Sequence, residues 1–251
     1  MMQKKPLLEA RNLVKRYNGR AVVDRFSFHV NLGEIVGLLG RNGAGKTTTF
    51  RMTMGMIDPE EGSVFFKGED VTSLAMYKRA QRGMGYLSQE PSVFQRLSVM
   101  DNLLAILETM REYNRKERLG QAEKLLEQFG LTTQRDQPAR TLSGGERRKL
   151  EIARALVTRP NLIMLDEPFS GVDPKAVEDL QAEILGLKRD QGIAVLLTDH
   201  NVRETLRVTD RSYIIHDGKM LAEGEPKQIV RNELVRKTYL GSSFKPEEFD
   251  R

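Results

Sequence analysis

Apolar and polar positions alternate from Leu7 to Val30, as in Leu7-Leu8-Glu9-Ala10-Arg11-Asn12-Leu13-Val14 and Ala21-Val22-Val23, with a break at Asn18-Gly19. Two strands joined by a tight turn satisfy that pattern, so the chain opens with a predicted β-hairpin. The unbroken apolar run Ile35-Val36-Gly37-Leu38-Leu39 predicts a strand, and Thr47 to Ile57 a helix ended by Asp58-Pro59. Gly62 to Gly68 and Met84 to Gln89 read as two more strands. From Glu90 to about Arg140 the period becomes helical, with Leu119, Ala122, Leu125, Leu126 and Phe129 forming a core-facing stripe. Leu142-Ser143-Gly144-Gly145-Glu146 opens a helix whose apolar side is Leu150, Ala153, Leu156 and Val157. Two continuous apolar runs, Asn161-Leu162-Ile163-Met164-Leu165 and Ile193 to Thr198, predict strands covered on both faces of a parallel sheet, with a helix from Pro174 to about Asp190 between them. Ser212 to His216 and Lys219 to Glu223, joined at Asp217-Gly218, predict a closing hairpin. Helical turns at Glu225 to Asn232 and near Tyr239-Leu240-Gly241 follow, and the tail beyond Ser242 is expected to be polar and loose.

Composition narrows the chemistry more than the fold. With no cysteine in 251 residues, disulfides, thiolate metal sites and cysteine nucleophiles are excluded. Forty basic against thirty-five acidic residues give +5 with both signs interspersed, weak support for a nucleic-acid partner. Met1-Met2-Gln3-Lys4-Lys5-Pro6 is too polar to begin a secretory apolar segment, and no apolar run approaches the roughly 18 residues that span a bilayer. A chain soluble by itself is the expectation.

The chemistry concentrates at strand ends. Gly40-Arg41-Asn42-Gly43-Ala44-Gly45-Lys46-Thr47 fits G-x-x-x-x-G-K-[ST] directly after an apolar strand. Backbone amides closing around phosphate oxygens need small residues at Gly43 and Gly45, and the helix that follows points its positive end at the same anion. Lys46 supplies a point charge to the β- and γ-phosphates, and Thr47 a hydroxyl for magnesium. Asp166 and Glu167 end a buried strand, where the first can hold magnesium through water and the second can polarise an attacking water. Gln89 can reach a metal-bound water or be an ordinary polar strand end. His200, at the end of another core strand, is better placed for chemistry than His29 or His216, which stay unassigned. Tyr17 is either a purine-stacking ring worth about 0.5–1.5 kcal/mol or an ordinary strand tyrosine. Ser143 with its glycines makes a second anion-holding loop without lysine or magnesium ligand, one that completes a site rather than making one. Arg147-Arg148-Lys149 is expected to be a solvated helix face. Phe94, beside Arg96 in the loop Pro91 to Leu97, is either a docking residue or folded back into its own lobe.

Together these motifs, in this order from Tyr17 to about Gly241, resemble the nucleotide-binding subunits of ABC transporters. The resemblance identifies Tyr17 as the A-loop aromatic, Gly40 to Thr48 as Walker A, and Gln89 as the Q-loop. It makes Leu142 to Glu146 the signature, Asp166 and Glu167 Walker B, Ser170 to Asp173 the D-loop, and His200 the switch histidine. The fold it implies is α/β: a P-loop NTPase (RecA-like) core over 1–89 and 157–241 with an antiparallel β-subdomain, a helical subdomain over about 90–156, and a polar tail over 242–251. ATP is the implied substrate, with magnesium held by Thr47, Gln89 and Asp166, and with Glu167, His200, Gln89 and Lys46 as catalytic residues. Nucleotide contacts fall on Tyr17, on Arg41, Asn42, Gly43, Ala44, Gly45, Lys46, Thr47 and Thr48, and on Ser143, Gly144, Gly145, Glu146 and Asp173.

The resemblance further implies a head-to-tail homodimer at the cytoplasmic face of the inner membrane, held there by two multi-span membrane subunits. Phe94 and Arg96 would dock those subunits, and no nucleic-acid partner is expected. Within the family, Ser92 to Val99, Thr198 to Thr205 and Tyr239-Leu240-Gly241 are similar to the ATPases of lipopolysaccharide exporters. Two alternatives stand beside that branch: the ATPases of branched-chain amino-acid importers, and a soluble ABC ATPase without a transport role.

Overall fold

Strands that are apolar on both sides must be covered on both sides, and that requirement sets the layering of the molecule. The computed structural model describes residues 5–241, 244 and 246–249. The polar start Met1 to Lys4 and the tail positions Ser242, Ser243, Lys245, Asp250 and Arg251 lie outside the described residues. The first half runs β1 (Leu8–Tyr17), β2 (Arg20–Val30), β3 (Ile35–Leu39), α1 (Lys46–Met54), β4 (Glu61–Phe66), β5 (Glu69–Asp70), α2 (Met76–Gln81), β6 (Met84–Leu87), α3 (Val99–Leu107) and α4 (Arg115–Gln128). Then follow α5 (Gly144–Leu156), β7 (Leu162–Asp166), α6 (Pro174–Gln191), β8 (Ala194–Thr198), α7 (Val202–Val208), β9 (Arg211–His216), β10 (Lys219–Gly224) and α8 (Pro226–Arg231).

One sheet is six-stranded in the order β10-β9-β3-β8-β7-β6, with only the β10–β9 pair antiparallel. Successive residues of β7 and β8 divide between two cores. Ile163, Leu165, Val195 and Leu197 face the helical layer of α3 to α6, while Leu162, Met164, Ala194 and Leu196 face the other side with α1 and the second sheet. That second sheet is antiparallel, order β2-β1-β4-β5. Its hairpin turn puts Asn18 and Gly19 at φ 50° and 77°, the conformation a two-residue turn between right-twisted strands requires.

Helix α1 stops at Met54, three residues short of the expected Ile57, and its end has a cause. Arg79 on α2 is fully buried and donates to the carbonyls of Met52 and Thr53, which end α1, and to those of Leu74 and Thr72. A guanidinium there satisfies carbonyls that have no partner inside α1 and stands at the negative end of its dipole. Burial lowers its pKa to about 10, so it keeps its charge at neutral pH.

The tail is not uniformly loose. Phe249 is buried and stacks on Phe244 with ring centroids 5.7 Å apart, and Glu248 pairs with Arg203 of α7 at 3.1 Å. Two aromatic rings in a polar stretch supply the apolar area that anchors it. No helix among the described residues is long and apolar enough to cross a membrane.

Candidate functional site

Parallel strands bring their carboxyl ends to one edge, and in this sheet β3, β6, β7 and β8 deliver their following loops to it. A cavity of about 510 Å³ lies there, bordered by Asn42, Gly43 and 45–48 after β3, Gln89 after β6, Glu167 after β7 and His200 after β8, with Arg41 and Ala44 outside its lining. Val22 of the hairpin and Ser170 close its margin.

The loop after β3 has the form its glycines permit. Gly45 sits at φ 109°, and a Cβ there would come within 2.6 Å of the Val22 carbonyl oxygen, so the loop and hairpin approach this closely only with glycine. Gly43 has open space around it but φ 79°, a conformational rather than a steric need. Among the described residues, no side chain caps the start of α1. Its first amides therefore remain available to an anion, and the dipole adds to the attraction. Lys46 is buried, its Nζ donating to the carbonyls of Gly40 at 2.7 Å and Arg41 at 3.1 Å. Burial lowers its pKa, and the carboxylates of Glu167, Asp166 and Asp199 pull in the opposite direction. Three carboxylates against one lysine leave an excess of acid, a field that favours a bound cation.

The two acids at the end of β7 occupy different environments. Asp166 is buried at the end of β7, opposite Thr198 of β8; Tyr86 donates to its Oδ2 at 3.4 Å. Its Oδ1 has no hydrogen-bond partner among the described residues. Burial and then the neighbouring Glu167 raise its pKa. Glu167 stands at φ 49°, unusual for a residue with a β-carbon, and its amide donates to the Thr198 carbonyl at 2.7 Å. That conformation turns the carboxylate out of the strand line, where Gln89 Nε2 donates to it at 2.9 Å and His200 Nδ1 lies 3.5 Å away. Gln89 and His200, far apart in sequence, thus both neighbour Glu167 at the cavity that Lys46 also lines.

The orphaned buried oxygen of Asp166, which does not itself line the cavity, fits a hard divalent cation, and the Thr47 hydroxyl and Gln89 amide oxygen on the cavity wall are further donors of the same kind. Among the described residues no cluster of three or more acidic or histidine side chains forms a ready-made cage. Such a cation would therefore need phosphate oxygens to complete its shell, as magnesium sites on nucleotides do.

Two supporting residues had no assigned role in the sequence reading. Arg148 does not lie on a solvated face: it is buried, donating to the carbonyls of Ser88 at 2.9 Å and Asp166 at 3.1 Å and pairing with Glu151 at 2.8 Å. The basic run wraps around α5, so one of its three cations points inward; Lys149 reaches Asp179, and Arg147 returns to the Leu142 carbonyl. Asp199 is fully buried and accepts from the amides of Phe169 and Asn201, fixing both segments that follow Glu167 and His200. Burial raises its pKa, partly offset by those two amides. An aspartate ending a continuous apolar strand is the signal that could have revealed it.

Other expected site residues lie apart from this cavity. Tyr17 is 48% exposed at the end of β1 and does not line it. Residues Ser143 to Glu146 also lie outside it. Ser143 caps α5, accepting from the Glu146 amide at 3.3 Å while Glu146 accepts from the Ser143 amide at 2.8 Å. Gly145 permits the starts of α5 and α6 to touch, since a Cβ there would meet the Ala176 Cβ at 2.7 Å. Asp173 caps α6 through the Ala176 amide. Phe94 is 46% exposed, its loop held by buried Asn102 and its ring 4.5 Å from the Arg154 guanidinium; Arg96 is exposed.

Comparison with known proteins follows the same lines. Residues 23–170 match the family model described as ABC transporter. A lipopolysaccharide export system ATP-binding protein, LptB, of Haemophilus influenzae is 51% identical over 239 residues, covering 95% of this chain and 99% of that protein. LptB of Escherichia coli is 50% identical over 238 residues, covering 95% and 98%. A crystal structure of an ATP-binding cassette of an ABC transporter in its ADP conformation superposes with a TM-score of 0.84 at 30% identity, covering 95% of this chain and all of the other.

Proposed function

The chain belongs to the ABC transporter family as an ATP-binding, ATP-hydrolysing subunit, and from that premise we propose that it powers lipopolysaccharide extraction and export through two multi-span membrane subunits. The observation that carries the catalytic reading is the gathering of Gln89 and His200 around Glu167 at the cavity that the Lys46 loop also lines. The transport reading rests on identity near one half over almost the full length of LptB in two organisms.

In this mechanism the uncapped amides of α1 and Lys46 bind the β- and γ-phosphates. Glu167, held by Gln89 and adjacent to His200, orients a water in line with the γ-phosphorus and accepts its proton. Thr47, Gln89 and Asp166 would hold magnesium, which when bound neutralises charge developing on the phosphate oxygens. Ser143, followed by two glycines, lies outside the cavity of its own chain, which supports a head-to-tail dimer in which residues Ser143 to Glu146 of one copy close over the nucleotide of the other. Arg41, Asn42, Thr48 and Tyr17 complete the nucleotide contacts, and Asp173 lies near the dimer seam. The core over 1–89 and 157–241 carries the loops, and the helical part over about 90–156 carries Phe94 and Arg96 toward the membrane subunits.

The test is the complex recovered from membranes through a tag on this chain. Its ATPase activity should rise with lipopolysaccharide, and Glu167→Gln should retain ATP binding while losing roughly 10²–10⁴-fold in turnover, the range for a missing general base. Near-normal turnover removes Glu167 from that role. A response to branched-chain amino acids in place of lipopolysaccharide, or recovery without membrane subunits, overturns the transport assignment. Phe94→Ala should keep the ATPase activity of the free chain and lose the stimulated activity of the complex; an unfolded variant would put Phe94 in the core instead.

A further inference from the structure

A separate cavity, about 440 Å³ in volume, shares no lining residue with the nucleotide site. It lies where α3, α4, the end of α5, the start of β7 and the end of α6 converge. Its apolar floor is Leu107, Leu125, Leu156, Val157 and Ile193, with the Tyr113 ring at one side. Two cations, Lys124 and Arg159, and four carboxamides, Gln121, Gln128, Asn161 and Gln191, provide its polar lining. No carboxylate lines it among the described residues, and neither cation has an ion pair in the described structure.

Arg159 is the informative residue. It sits at φ 49°, in the left-handed region where glycine costs least, and its guanidinium lies 5.3 Å from the centroid of the Tyr113 ring. A backbone that favours glycine here carries a long cation held against an aromatic wall at the cavity. Apolar walls with a few converging polar groups are the make-up of a small-molecule site, and the volume lies within the usual range of about 300–1,000 Å³. The unbalanced charge selects an anion, and the floor selects one with an apolar body.

We propose that this cavity binds a single-chain amphipathic anion, its acid group between Lys124 and Arg159 and its apolar body on the leucine floor. The cavity lies at the opposite strand ends from the catalytic edge, and the elements between them connect the two. Three elements that meet at this cavity have their other ends at Ser143, which caps α5, Asp166, which ends β7, and Asp173, which caps α6.

The probe is 8-anilino-1-naphthalenesulfonate, titrated by fluorescence against the full chain with saturating ATP. Expected is saturable binding, one probe per chain, displaced by decanoate and not by decanol. Lys124→Glu and Arg159→Gly should each weaken it roughly tenfold or more, as expected for a lost charge-assisted hydrogen bond. Arg159→Gly relaxes the backbone, so its melting temperature should not fall, which separates lost binding from lost folding. Binding retained in both variants, displaced equally by decanol, or abolished by ATP overturns the proposal. Cosedimentation with phosphatidylglycerol vesicles should be unchanged by either variant; its loss would assign these cations to a bilayer surface and also overturn the proposal.

Discussion

Arg148 joins the loop before Gln89 to the strand end before Glu167. Its guanidinium spans the Ser88 and Asp166 carbonyls, and its partner Glu151, itself buried, accepts from the Ser92 amide at 2.8 Å. Removing one member of a buried pair strands the other, which costs about 3–5 kcal/mol, far more than a surface pair contributes. Arg148→Met should therefore lower the unfolding free energy by about that amount in urea denaturation. Adding Glu151→Met should restore a substantial part, because the stranded carboxylate is then gone. Equal losses in the single and double variants would show that no charge is stranded. The same logic explains why Lys46 tolerates burial: two loop carbonyls hold its ammonium and three carboxylates offset the desolvation.

Where β2 meets β9, the two sheets are joined by a polar cluster in an apolar seam. Arg211 of β9 pairs with Glu34 at 2.8 Å, with Glu223 at 2.6 Å and with the Tyr213 hydroxyl; that hydroxyl lies 3.1 Å from His29 Nδ1 of β2. Burial, and then the charge on Arg211, lower the His29 pKa below 6.5. Burial alone would raise Glu34, but the Arg211 guanidinium and the Asn31 amide outweigh it and hold that carboxyl below 4.5. Both groups bind protons more readily in the unfolded chain, so both contribute stability that rises with pH. The histidine share is fully present above 6.5 and is lost as pH falls through its folded value; the glutamate share follows below 4.5. Melting temperatures taken between about pH 8 and pH 5.5 should fall for the wild type, and less steeply for His29→Gln. Identical slopes would mean that His29 titrates alike folded and unfolded.

At the scale of the whole molecule, the separation of Ser143 from the cavity that Lys46 lines yields a mixing test of the proposed dimer. Lys46→Ala and Ser143→Arg should each form inactive homodimers. In a head-to-tail dimer of one chain of each kind, both defects fall in one site, and the other site is built entirely from unaltered residues. Mixing the two should therefore restore ATP turnover. No recovery, with mixed dimers shown to form, would mean that each site is complete within one chain or that both must be intact together.

The sequence by itself determined the order of the strands and helices that carry chemistry. A phosphate loop, a buried strand and a strand-end acid are each local patterns, imposed by amide geometry and by the need to cover apolar faces. The pairing of Asn18 with Gly19, the strand ends at Asp166 and Thr198, and the helix from Pro174 were legible for that reason. Only the tertiary structure decided which distant groups meet. Gln89, Glu167 and His200 converge because parallel pairing of β6, β7 and β8 brings three loop starts to one edge. Arg148, read locally as part of a solvated face, and Arg79, which no local pattern singled out, turn inward because backbone carbonyls elsewhere lack donors. Local patterns record what a segment prefers for itself; they do not record which buried acceptors another segment leaves unsatisfied, and that demand placed these two arginines.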